Sequence, residues 1–170
     1  MVESCGSITV HRGMNGEVSM KSLVVDTTGN DLTYRIIGAA MKVHNQIGMG
    51  YKEEVYESSL EAELNQLEID VIRQYPVSVE YEEQHVAIFY LDLFVNDQVV
   101  VEVKAFSHLL TNDERAQVIN YLKATGASIG LLFNFGRRKL EYRRIFPGKA
   151  GTGPVQRVGR DDILRSSRKS

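Results

Sequence analysis

The sequence predicts an α/β sandwich in which a mixed β-sheet is flanked by helices on both sides. Three observations carry the prediction. Two stretches before residue 70 hold apolar residues at helical spacing, and three strand-like runs then follow one another as a meander up to Lys104. Next comes a further helix, which leads into Ser128–Asn134, a run so apolar that it reads as a buried strand able to pair in parallel. No internal repeat is present.

The first helix is expected from about Tyr34 to Ile47, with Ile36, Ala40, Val43 and Ile47 in one stripe and Asp31 or Thr33 as its cap. Gly48-Met-Gly50 breaks it. A second helix, from about Glu53 to Leu67, carries Tyr56, Leu60, Leu64 and Leu67, while Glu54, Glu57, Glu61 and Glu63 fall largely off that stripe. Glu53 falls on it, one turn before Tyr56. It is either a first-turn acid favoured by the helix dipole or a carboxylate aimed inward.

Val71–Tyr81 reads as a strand, with Pro76 placing it at an edge or a bulge. The next strand runs from Val86 to Val95 and another ends at Lys104. A helix capped by Thr111 or Asn112 then reaches about Thr125 and is stopped by Gly126. On it Gln117 and Tyr121 share a face. After the apolar strand, Leu140–Phe146 forms the last one, stopped by Pro147-Gly148.

Chemistry concentrates in Tyr90–Lys104, two valine- and aromatic-rich strands joined by a turn at Asn96-Asp97-Gln98. Asp92, Glu102 and Lys104 interrupt it. Glu102 and Lys104 share a face by alternation, and Asp92 joins them only if the loop has an odd number of residues, which predicts a three-residue turn. One reading makes these charges the solvated side of an ordinary hairpin. Against that, Tyr90, Phe94 and Val100 lie on the charged face and Leu91, Leu93, Val95, Val99 and Val101 on the other, so both sides should be covered and the charges partly buried. Paired buried carboxylates repel until a hard, oxygen-preferring cation such as Mg2+ sits between them. The neighbouring lysine can then orient or deprotonate a water, or stabilise charge on a phosphate.

Composition sets the bounds. A chain of 170 residues suits one domain with a sizeable core plus some tail, and the single cysteine, Cys5, excludes an internal disulfide framework and fits a reducing compartment. No apolar run is long enough to span a membrane and no signal peptide is apparent, so a cytoplasmic protein is expected. The net charge of −2 hides an asymmetry: from Arg137 onward there are eleven bases against three acids, and before it nine bases against nineteen acids. That basic end is consistent with attraction to phosphate backbones and equally with a solubilising, disordered terminus.

Gly50-Tyr-Lys-Glu53-Glu-Val-Tyr56 has the form Gly-x-x-Glu-x-x-Tyr, and Asp92 followed by Glu102-Val-Lys104 has the form Asp, spacer, Glu-x-Lys. With the surrounding Ala39–Gly48, Gln117–Gly126 and Gly130–Gly136 segments in the same order, the chain resembles the GxxExxY family of the PD-(D/E)XK nuclease superfamily from roughly Thr33 to Pro147. The resemblance implies a restriction-endonuclease-like sandwich over residues 31–147. Residues 1–30 are expected to be an N-terminal extension without an assigned role, with a short strand expected around Ser22–Asp26. Residues 148–170 are a basic tail expected to be disordered, with at most a helical turn at Asp161–Leu164.

The resemblance also implies roles. Asp92, Glu102 and the carbonyl of Val103 would ligate Mg2+ or Mn2+, Lys104 would position a water or stabilise the transition state, and Glu53 would complete the acidic cluster. Gln117 would steady Lys104 or a phosphate, with Tyr121 packed beneath the site and Tyr56 in support; otherwise Gln117 is a surface polar group beside a core tyrosine. The implied partner is nucleic acid, DNA foremost, with a homodimer as one arrangement open to the fold. His108 is left out as a lone loop histidine. Beside the nuclease stand two other readings: a nucleic-acid-binding or assembly module without turnover, and a buried polar network joining helix to sheet.

Overall fold

The computed structural model describes residues 30–147. Eight elements follow in order: α1 (Asn30–Ile47), α2 (Glu53–Gln66), β1 (Val71–Tyr81), β2 (Gln84–Val95), β3 (Val99–Lys104), α3 (Asn112–Thr125), β4 (Ile129–Asn134) and β5 (Glu141–Ile145). The strands form one sheet in chain order. β3 and β4 are parallel and every other neighbouring pair is antiparallel, so the sheet is mixed as expected. The N-terminal extension, the strand expected at Ser22–Asp26, the basic tail and the turn expected at Asp161–Leu164 lie outside the described residues.

Two apolar clusters sandwich the sheet. On one face Ile36, Ala40 and Val43 of α1 and Tyr56, Leu60 and Leu64 of α2 pack on Leu93, Val95, Val101, Val103 and Phe133. On the other, Val118, Tyr121 and Leu122 of α3 pack on Phe94, Val100, Leu132 and Ile145. All six residues of β4 are buried, which is why that segment reads as continuously apolar.

α1 begins earlier than its spacing suggested. Leu32, one turn before Ile36, extends the apolar stripe, and the helix reaches back to Asn30, so Asp31 lies in its first turn and neither it nor Thr33 is the cap. Thr33 is the more deeply placed of the two. It lies inside the helix, wholly buried, and its Oγ1 accepts from Arg144 Nε at 3.2 Å. α3 is capped as expected: Thr111 Oγ1 accepts from the Asp113 N–H, Glu114 closes a capping box, and Gly126 ends the helix in the left-handed region at φ 66°.

The turn between β2 and β3 has three residues, since Val95 pairs with Val99. Asn96 and Asp97 both adopt positive φ, and Asn96 is tied to Asp70 through its N–H (2.9 Å) and its Oδ1 (3.2 Å). That register puts Asp92 on the level of Glu102. The ladder between β2 and β3 ends at Leu93 and Val101, however, whereas β1 and β2 stay paired out to Tyr81 and Gln84. The two longer strands therefore project as a two-stranded arm.

Two expectations about faces need correction here. Tyr90 lies on the arm beyond the cover of any helix and is 55% exposed, not enclosed. Leu91 packs on the α3 side although Leu93, of the same parity, packs on the α1/α2 side. The alternation reverses at Asp92 and at its neighbour in β1, Gln74, which has φ 52° and interrupts the ladder between Arg73 and Tyr75. Asp92 thus stands where the sheet splits.

Candidate active site

Parallel pairing brings the ends of β3 and β4 to one edge, with Lys104 level with Asn134. The start of α2, the split in β2 and the connections after β3 and β4 all meet there. This edge gathers the charged residues singled out in the sequence.

Beyond Leu93 the Asp92 carboxylate takes over the role of a strand carbonyl: its Oδ2 accepts from the Val103 N–H at 2.7 Å. Glu102, 2% exposed on β3, holds Lys104 through Oε1 at 2.7 Å. From α2, Glu53 Oε1 accepts from the Ala105 N–H at 3.2 Å. Glu53 is therefore a first-turn acid whose carboxylate also turns inward, onto the backbone just after Lys104. One oxygen of the set, Glu102 Oε2, is buried and has no hydrogen-bond donor.

The charges strain one another. Burial pushes Asp92 up to about 7, the Glu102 charge adds to the rise, and the bond from the Val103 N–H opposes it. Burial likewise raises Glu102 above the usual carboxylate range against the pull of Lys104, with Glu53 and Glu57 adding repulsion. Desolvation works to lower Lys104, but the Glu102 carboxylate outweighs it and holds the ammonium above its ordinary value. Lys104 is thus a fixed cation at neutral pH, suited to donating to a water or a phosphate oxygen rather than to removing a proton.

Gln117 and Tyr121 share a face of α3 and are bonded to each other, Nε2 to hydroxyl at 2.8 Å. The Gln117 amide is turned to Tyr121 and not to Lys104. Burial raises the Tyr121 phenol, the Gln117 bond lowers it, and the charges of Glu102, Asp92 and Lys104 reach it, so the pair borders the cluster. Tyr56 is wholly buried and stacked on Phe135 at 4.6 Å. Its hydroxyl donates to the Gly48 carbonyl and accepts from the Tyr51 N–H, which fixes the turn leading into Glu53.

Some residues were missed in the sequence. Glu57, placed off the α2 stripe, is buried, accepts from Gln74 Nε2 at 2.9 Å and repels both Asp92 and Glu102. The available signal was its spacing, one turn after Glu53. Glu63, also placed off the stripe, is buried too, where Lys42 pairs with it at 2.7 Å. Asn134 is the other omission. Fully buried, it accepts from the Phe106 and Gly136 N–H groups and donates to the His108 carbonyl, so it sets the path of the chain after Lys104. A lone polar residue closing an apolar strand was the clue.

Among the described residues, no three acidic, histidine or cysteine side chains are gathered closely enough to hold a cation as they stand. Asp92, Glu53 and Glu57 are each engaged by an N–H donor. Glu102 Oε2 is different: it is buried and accepts from no donor, while the charge of its carboxylate is met at Oε1 by Lys104. An all-oxygen set centred on it fits a hard divalent cation.

The model of one protein family, the PD-(D/E)XK nuclease superfamily, matches residues 30–145. No curated protein and no solved structure matches the chain. Among the described residues no helix is long and apolar enough to cross a membrane.

Proposed function

The chain belongs to the PD-(D/E)XK nuclease superfamily, and from that premise we propose that it is a metal-dependent nuclease hydrolysing phosphodiester bonds in nucleic acid, DNA foremost. Within the superfamily we place it in the GxxExxY family. The support is the work done by the motif's own residues: Tyr56 fixes the turn at Gly48–Tyr51, and Glu53 reaches the backbone just past Lys104. The observation that carries the nuclease reading is the donor-less Glu102 Oε2, buried between a lysine and three further carboxylates.

Asp92, Glu102 and the Val103 carbonyl would hold Mg2+ or Mn2+, with Glu53 and Glu57 completing the negative field. When bound, such an ion supplies positive charge to the non-bridging phosphate oxygens. Lys104, protonated and anchored on Glu102, donates from Nζ to a non-bridging oxygen as water attacks in line; the new P–O bond forms as the bond to the ester oxygen opposite breaks, the water yielding a proton to solvent and the departing oxygen taking one up. Gln117 keeps the Tyr121 hydroxyl turned to the border of the site and offers its remaining amide hydrogen to a phosphate. A homodimer and a cytoplasmic setting complete the proposal.

The test is cleavage of single- and double-stranded DNA and of RNA with Mg2+ or Mn2+, beside Lys104→Ala. Activity should fall by at least 100-fold in the variant, and activity that survives unchanged removes Lys104 from the mechanism. A second reading, binding without turnover, draws on the engagement of Asp92 and Glu53 by backbone N–H groups. Salt-dependent binding with no cleavage under either metal would establish it.

A further inference from the structure

Two hollows are lined by residues near the ends of β3 and β4, and the connection after β3 contributes to both, with Ala105 and Phe106 in the first and Leu109 in the second. The first, of about 860 Å³, is bordered by Glu53 and Glu57 and by Phe106. The second, of about 560 Å³, is bordered by Leu109 and by Arg137, Arg138, Lys139 and Tyr142. On that connection Phe106 and His108 stack, with centroids 4.6 Å apart and planes 17° from parallel. His108 is exposed and Phe106 half-buried.

This connection is held at both ends. Asn134 bonds it at Phe106 and His108, and at Leu110 the N–H donates to the Glu141 carboxylate while Arg143 donates to the carbonyl. Its rings are therefore presented on a fixed backbone, which lowers the ordering cost of binding. The cations of the second hollow divide into two kinds. Arg137 is within ion-pair distance of Glu141, which Arg143, not part of the lining, also reaches. Arg138 and Lys139 are exposed and have no acid within that distance among the described residues. Their charge is available to an anion, and Leu109 and Tyr142 beside them offer apolar surface to whatever the anion is attached to.

We propose that the two hollows are the ends of one track for a single nucleic-acid strand, which leaves the acidic groove, stacks a base on the Phe106–His108 ring pair and places a neighbouring phosphate on Arg138 and Lys139. The inference rests on the nuclease reading of the acidic groove and adds the substrate class: single strands or single-stranded ends rather than intact duplex. The reason is physical. A ring platform on the connection that the two hollows share is useful only to a base whose face is free, and in a duplex those faces are already stacked.

The experiment measures fluorescence anisotropy of labelled single strands, DNA and RNA, and of the matching DNA duplex, with the full chain in EDTA. Single strand of at least one kind should bind at least tenfold tighter than duplex. Arg138→Glu with Lys139→Glu should weaken single-strand binding at least tenfold and make its salt dependence shallower by about 0.7 in log–log slope, for the one phosphate no longer neutralised. His108→Ala should weaken it several-fold, and Lys123→Glu, on the last turn of α3 away from this edge, should not change it. Duplex bound as tightly as single strand, or a double variant that binds like the wild type, overturns the track. Cleavage assays on the same proteins separate the two proposals. Lys104-dependent cleavage with binding indifferent to the double variant overturns only the track. Single-strand binding that the double variant abolishes, in a protein that cleaves nothing with Mg2+ or Mn2+, upholds the track and overturns the nuclease reading.

Discussion

Asp92 is asked to be a carboxylate in a place that favours a carboxylic acid. In the folded chain it takes up a proton near pH 7, against an ordinary value of 3.8, because it is buried beside Glu102. Between those two values the folded chain holds more protons than the unfolded one, so stability is greatest below about 3.8 and is lost as pH rises through about 7. Asp92→Asn keeps an oxygen for the Val103 N–H and cannot ionise. In urea titrations with EDTA it should exceed the wild type at pH 8 by on the order of 2 kcal/mol, with the gain shrinking towards pH 4. A variant no more stable at pH 8 would mean that the carboxylate is not strained. The same substitution should abolish cleavage, a trade of stability for activity.

At the scale of elements, local chemistry and long-range contacts make separate demands. The Thr111–Glu114 box closes the start of α3, and Thr111→Ala should cost about 1 kcal/mol by thermal or chemical unfolding. Where β3 and β4 end, the backbones approach so closely that a Cβ on Gly136 would lie 2.4 Å from the Ala105 carbonyl carbon and 2.5 Å from the Phe106 oxygen. Gly136→Ala should therefore cost about 1–3 kcal/mol, and Asn134→Ala, which takes a partner from the Phe106 and Gly136 N–H groups and the His108 carbonyl, about as much. Both should lower cleavage beyond what their melting temperatures explain, by shifting Ala105 away from Glu53.

Those two kinds of demand also decide what could be read from the sequence. The cap of α3, the run of β4 and the three-residue turn obey rules local to the chain, and so the mixed sheet and the level of Asp92 against Glu102 were accessible. Tyr90 and Leu91 were misplaced because strict alternation carries no warning of a split sheet. The break is produced by Gln74 in the neighbouring strand, whose positive φ has no glycine or asparagine to announce it. Glu57 was passed over because one carboxylate on a charged helix looks like any other until the partner that buries it, Gln74, is known.

Taken whole, the molecule suspends its acidic cluster between two apolar layers, with carboxylates from α2, β2 and β3 repelling across the join. A cation bound there should stabilise the entire fold. Mn2+ at about 100 times its dissociation constant should add about 2.7 kcal/mol to wild-type stability, read as a rise in melting temperature. Glu102→Gln should start more stable in EDTA and gain little from the ion. An equal metal response in both proteins would place the binding elsewhere.

Every ionisable group of the cluster, from Glu53 to Lys104, is translated before residue 105, yet the amide that steers the backbone beyond Lys104 arrives only with Asn134, after a whole helix has crossed over. A polypeptide emerging from the ribosome would accordingly carry all its ionisable cutting groups for some thirty codons while the edge they share was still unbuilt. Competence is conferred late, by a neutral side chain.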